Sequence, residues 1–140
     1  MKIARRLLLA VSVLMVLSLT SCVSSKEKKI QGQWERYNTS LNYFVVDTLK
    51  QEMWDFDNGN LTIYGRDSVN HTMFVIADFK YSMSLSKGRV AVTIQAKDKN
   101  EEVPPALQAS YMGEARIYKL KDDAFAMKGV ETLIYYEFYR

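Results

Sequence analysis

Gln51-Glu52-Met53-Trp54-Asp55-Phe56-Asp57-Asn58-Gly59-Asn60-Leu61-Thr62-Ile63-Tyr64 is a strand, a turn and a second strand in one stretch of chain. Trp54 and Phe56 share one face of the first half, and Leu61 and Ile63 alternate with Thr62 and Tyr64 in the second. Alternation with a period of two residues marks a strand with one buried face. Between the halves, Asn58-Gly59 supplies two residues that tolerate the positive φ angles of a tight hairpin turn.

Outward from this hairpin the pattern repeats. Downstream, Thr72–Ser82 sets Met73, Val75, Ala77, Phe79 and Tyr81 on one side, against Phe74, Ile76, Asp78 and Lys80. Arg89–Ala96 opposes Val90, Val92 and Ile94 to Ala91, Thr93 and Gln95. Glu114–Leu120, Ala124–Gly129 and Thr132–Tyr139 follow, and Gln33–Tyr37 lies upstream. Ser86-Lys87-Gly88 and Lys121-Asp122-Asp123 are short turns between them. Nine Tyr, six Phe and two Trp favour strands over helices. The nearest approach to a helical period is Ser40–Leu49, where Tyr43-Phe44-Val45-Val46 reads equally well as an extra strand. Eight short strands predict an all-β fold, either an up-and-down antiparallel barrel or a sandwich with the same meander. The connections at Asn38–Lys50, Gly65–His71 and Lys97–Gly113 are long and the alternate ones short. In a meander alternate loops fall on opposite ends, so the expected barrel has one closed end and one open, loop-rimmed mouth.

The chain begins with basic Lys2, Arg5 and Arg6, then an apolar run from Leu7 to Leu19 of signal-peptide length. Leu19-Thr20-Ser21-Cys22 resembles the lipobox of bacterial lipoproteins. That resemblance implies cleavage before Cys22, acylation of its thiol and amino group (a palmitate-type anchor), and a site in the cell envelope. Val23 after the Cys points to the outer membrane. The expected organisation is a signal peptide over 1–21, a lipidated Cys and polar tether over 22–29, and a barrel domain over 30–140. Removal of 21 residues from 140 leaves 119, and removal of three basic residues from 19 leaves 16 Lys/Arg against 16 Asp/Glu. A balanced charge argues against a nucleic-acid surface or a polybasic membrane patch. With Cys22 the only cysteine, no disulfide framework exists.

Ile30-Gln31-Gly32-Gln33-Trp34 resembles the Gly-x-Trp opening of lipocalins, whose Trp plugs the closed end beneath a basic residue of the last strand. The resemblance implies that Arg140 lies over Trp34 as a structural pair. With the lipobox, Trp54-Asp55-Phe56-Asp57-Asn58-Gly59 and the terminal Tyr136-Glu137-Phe138-Tyr139-Arg140, the layout resembles small lipocalin-like lipoproteins of Bacteroidetes-type bacteria. The comparison also implies O-glycosylation acceptors at Thr48, within Asp47-Thr48-Leu49, and at Ser68, within Asp67-Ser68-Val69.

The residues carry no catalytic constellation. His71 is the only histidine, and a metal centre would need further ligands. Asp55-Phe56-Asp57-Asn58-Gly59 sets its glycine one position early for a calcium loop and lacks the closing Glu. No Gly-rich phosphate loop occurs. The expectation is a non-enzymatic protein without cofactor or metal, whose barrel holds a small apolar ligand. Its candidate lining is Trp54, Phe56, Met73, Val75, Phe79, Tyr81, Val92, Ile94, Tyr136 and Phe138, with Tyr43, Phe44, Tyr111 and Met112 at the rim. The competing expectation is a packed barrel that engages or inhibits another envelope protein through its rim loops.

Overall fold

A computed structural model describes residues 2–140, apart from 42–43, 48–51 and 68, with the side chains of 2–5, 7, 19, 38–41 and 44–47 also outside the description. A helix α1 (Lys2–Ile30) precedes nine strands: β1 (Gly32–Leu41), β2 (Phe44–Asp47), β3 (Glu52–Asp57), β4 (Asn60–Arg66), β5 (Met73–Ser86), β6 (Arg89–Ala96), β7 (Gly113–Leu120), β8 (Ala124–Gly129) and β9 (Ile134–Tyr139). A second helix, α2 (Pro105–Tyr111), lies between β6 and β7. All neighbours are antiparallel, and β1 pairs with β9 to close the ring. The result is a closed eight-stranded barrel, not a sandwich. The ninth strand, β2, pairs with the far half of β1, beyond the residues of β1 that pair with β3. It is the extra strand that Tyr43–Val46 allowed.

The central hairpin forms as its sequence dictates: Asn58 and Gly59 have φ of 46° and 89°, and Asp57 faces Asn60 across the turn. Lys87 and Gly88, at 48° and 77°, make the same kind of turn between β5 and β6. These turns, with Lys121–Asp123 between β7 and β8, define the closed end.

Three differences from the sequence expectation have physical causes. The Lys97–Gly113 connection contains α2, where Pro105 presets the first helical residue and Ala106, Leu107, Gln108 and Ala109 are helix formers. The 23–29 segment, expected as a polar tether, is helical. It is the end of α1, and Ile30 at its terminus is fully buried under the barrel. Finally, β5 carries a bulge. Ile63 pairs with Ala77 but Tyr64 pairs with Val75, so Ile76 is extra. One extra residue exchanges the two faces of the strand. Phe79 and Tyr81 point inward, whereas Met73 is 40% exposed and Val75 54% exposed. Phe74, paired with Gly65, lays its ring where a β-carbon on that glycine would sit, and is itself 53% exposed.

The core is aromatic. Trp34, Trp54, Phe56, Phe79, Phe125 and Phe138 are each at most 1% exposed. Phe125 stacks on Phe138 at 4.9 Å, and Trp54 meets Phe138 at 5.0 Å. Burying each such ring stabilises the fold by about 1.5–3 kcal/mol.

Candidate functional site

The alternation that turns Trp34 inward on β1 also turns Arg36 inward, and the alternation of Trp54 and Phe56 on β3 brings Glu52 in beside it. Glu52 opens β3, at the end away from the hairpin turn, so this pair lies toward the mouth. The Arg36 and Glu52 side chains are 7% and 3% exposed, with Arg36 Nε 3.5 Å from Glu52 Oε2. Trp54 Nε1 donates to the same oxygen at 3.1 Å, and the Tyr111 hydroxyl donates to Oε1 at 2.7 Å. Both carboxylate oxygens therefore have partners, as a buried charge requires. Tyr136 lies alongside and donates its hydroxyl to the Ser110 carbonyl at 2.7 Å.

Burial pushes the Tyr136 hydroxyl up to about 12. Burial, and then the hydrogen bond and charge of Glu52, raise Tyr111 still further. Both phenols are thus donors at neutral pH, not bases. In consequence α2 is latched from two sides: Tyr111 at its end reaches down to Glu52, and Tyr136 reaches up to Ser110.

Beside the latch a cleft runs from solvent to the barrel interior, between the end of α2 and the β8–β9 turn. Trp54, Ile94, Met127 and Tyr136 form its floor, Ala109 to Met112 one wall, and Glu114, Glu131 and Thr132 its entrance. The cleft volume is ≈ 40 Å³. Drug-sized ligands occupy roughly 300–1,000 Å³. Below the floor lie the buried side chains of Phe56, Phe79, Val92 and Phe138.

Of the residues expected to line a site, Trp54, Ile94, Tyr111, Met112 and Tyr136 border this cleft. Phe56, Phe79, Tyr81, Val92 and Phe138 are buried in the packed interior beneath it. Met73 and Val75 lie outside the lining because of the bulge at Ile76. Tyr43 is outside the described residues, as are Thr48, Ser68 and the side chain of Phe44. Trp34 and Arg140 meet at the closed end, the guanidinium carbon 4.1 Å from the indole centroid. Arg36, Glu52 and Met127 were not singled out from the sequence. The signal was present: each is two residues from an inward aromatic, but a charged residue in a strand reads by default as a solvated one.

Two solved structures resemble this one. A lipocalin-like protein from Bacteroides uniformis matches with a TM-score of 0.53 and 9% identity, covering 80% of this chain and 98% of that one. An uncharacterized protein from Bacteroides eggerthii matches with a TM-score of 0.54 and 12% identity, covering 79% and 98%. No family model and no curated protein matches the sequence. The likeness is one of fold: a lipocalin-like antiparallel barrel.

Proposed function

We propose that the chain is a membrane-anchored, lipocalin-like binding protein that takes a small apolar ligand at the barrel mouth, beneath α2. One observation carries the reading: an apolar floor of Trp54, Ile94, Met127 and Tyr136 opens to solvent under a short helix with no buried residue of its own. Buried aromatic side chains crowd the interior below this floor, so the ligand enters as α2 lifts. Two side-chain hydrogen bonds hold the helix, and Gly113 beside it has a φ of 119° that suits a pivot. Carboxylates at the entrance favour a ligand whose polar end is neutral or cationic. The lipocalin-like fold supports the reading, because small barrels of this kind hold one small ligand. For the anchor, the support is the lipobox-like Cys22, exposed on a helix whose most apolar 18-residue window within Leu8–Ile30 has a mean hydropathy of 2.1. The proposal places the mature protein at the outer membrane as a non-enzymatic carrier.

A filled interior favours a second reading, in which the barrel is a rigid module and the rim engages another envelope protein.

Titration with the apolar fluorophore N-phenyl-1-naphthylamine separates the two. The carrier binds one equivalent with a rise in emission, and Ala109→Trp, which fills the cleft, abolishes it. No uptake by the wild type, or equal uptake by the variant, overturns the carrier reading.

A further inference from the structure

We infer that the closed end of the barrel is a docking surface for anionic lipid headgroups. The inference rests on the proposed membrane anchoring, but not on any ligand at the mouth. It starts from the way α1 meets the barrel. Ile30 is fully buried beneath the core, and Val23 packs partly buried against it. The junction is pinned by Gln31 Nε2 donating to the Tyr81 hydroxyl at 2.7 Å, and by Lys29 pairing with Asp122 at 3.0 Å. Arg140 Nη1 donates to the Gln31 carbonyl at 2.9 Å. Cys22 adjoins Val23, so little free chain separates the membrane-seeking part of α1 from the barrel base. Even along the helix axis, Cys22 to Ile30 spans only about 12 Å.

The base that is held so close is basic. Lys26, Lys28 and Lys29 end the helix, Lys87 and Arg89 flank the β5–β6 turn, and Lys121 sits in the β7–β8 turn. Against them stand Glu27, Asp55, Asp57, Asp122 and Asp123, with Lys29 and Asp122 offsetting each other as a pair. The mouth has the opposite balance. Arg66, Lys97, Lys99 and Lys128 there stand against Asp67, Asp98, Glu101, Glu102, Glu114 and Glu131. The base is thus the more cationic end and the rim the more anionic, a difference that a sum over the sequence conceals. Leu85 and Tyr118, 40% and 46% exposed near the same end, add the apolar and amphipathic contacts that suit a headgroup layer. Arg89 lies over the Tyr118 ring at 4.4 Å, so charge and aromatic surface are presented together. Basic groups near an anionic leaflet are attracted within a Debye length, roughly 8 Å at physiological salt. The held barrel keeps its base within about one and a half such lengths of Cys22 and turns its mouth away.

The test uses the full chain on vesicles of phosphatidylcholine alone and of phosphatidylcholine mixed with phosphatidylglycerol. Flotation measures attachment, and acetylation by a water-soluble reagent, read residue by residue by mass spectrometry, measures which lysines are covered. The expected result is flotation on both, with Lys28, Lys87 and Lys121 acetylated about fivefold more slowly on the anionic vesicles. Lys97 and Lys99 should react equally on both, and high salt should erase the difference. Equal rates at the base, or slowing at Lys97 and Lys99, overturns the docking surface while leaving the anchor standing. Failure to float overturns both. Failure of the mouth to take up an apolar probe touches neither.

Discussion

Arg140 lies over Trp34, its guanidinium carbon 4.1 Å from the ring centroid, and thereby ties the last residue of the chain to the first strand. Its Nε donates to the Asp122 carbonyl at 2.6 Å and its Nη1 to that of Gln31. Beneath it, Trp34 Nε1 donates to the Ile30 carbonyl at 2.7 Å, fixing the indole as the plug of the closed end. One planar cation thus joins α1, β1, the β7–β8 turn and β9.

Arg140→Ala should cost about 1–3 kcal/mol, from a cation–π contact and hydrogen bonds to two carbonyls. Arg140→Lys should recover only part of this, since an ammonium cannot lie flat on the indole while serving both carbonyls. Urea unfolding followed by tryptophan emission measures both. A loss below half a kcal/mol would show that the contact is ornamental.

Arg36 and Glu52 should behave as a unit. Removing one partner, as in Arg36→Met or Glu52→Leu, leaves a buried charge or a broken network and should cost about 3–5 kcal/mol. The double variant Arg36→Met/Glu52→Leu should cost clearly less than the two single changes together. A strictly additive cycle in denaturant unfolding would mean that the two groups do not interact.

Tyr136 sets an alkaline limit. Its hydroxyl is raised from 10 to about 12 in the folded protein, chiefly by burial. A raised folded value gives stability that is fully present below pH 10 and is lost as pH climbs from there toward 12. The loss over that window should be about 2–3 kcal/mol. Tyr136→Phe, although less stable at neutral pH for want of the Ser110 hydrogen bond, should show a shallower decline. Parallel slopes of unfolding free energy against pH for the two proteins would contradict the burial of this group.

The bulge at Ile76 makes neighbouring positions unequal. Phe79→Ala, in the packed core, should cost about 3–5 kcal/mol, whereas Met73→Ala should stay within about half a kcal/mol of wild type. Comparable losses at both positions would mean that β5 runs without the change of face.

The barrel was legible because its strands obey one period and its turns one chemistry. Asn58-Gly59 and Lys87-Gly88 both form the tight turns that their residues suit, and the short loops do mark the closed end. Facing near the mouth was harder to read. A single inserted residue at Ile76 reverses the sides of β5, and no residue type announces it. Likewise α2 is too short for its period to stand out, and the end of α1 looks like a polar tether until Val23 and Ile30 are seen against the barrel. The candidate site was half legible: the aromatics were found by their apolarity. Arg36 and Glu52 were missed because burial of a charge depends on a partner from another strand, which spacing within one strand does not reveal.

The most direct measurement is the native mass of the protein purified gently from the cell envelope with Cys22→Ser. The expected result is a stoichiometric adduct that disappears on denaturation and is absent from Ala109→Trp. A bare mass in both proteins, with no uptake of apolar probe, would contradict a ligand beneath α2 and leave the barrel as a packed module whose rim does the binding.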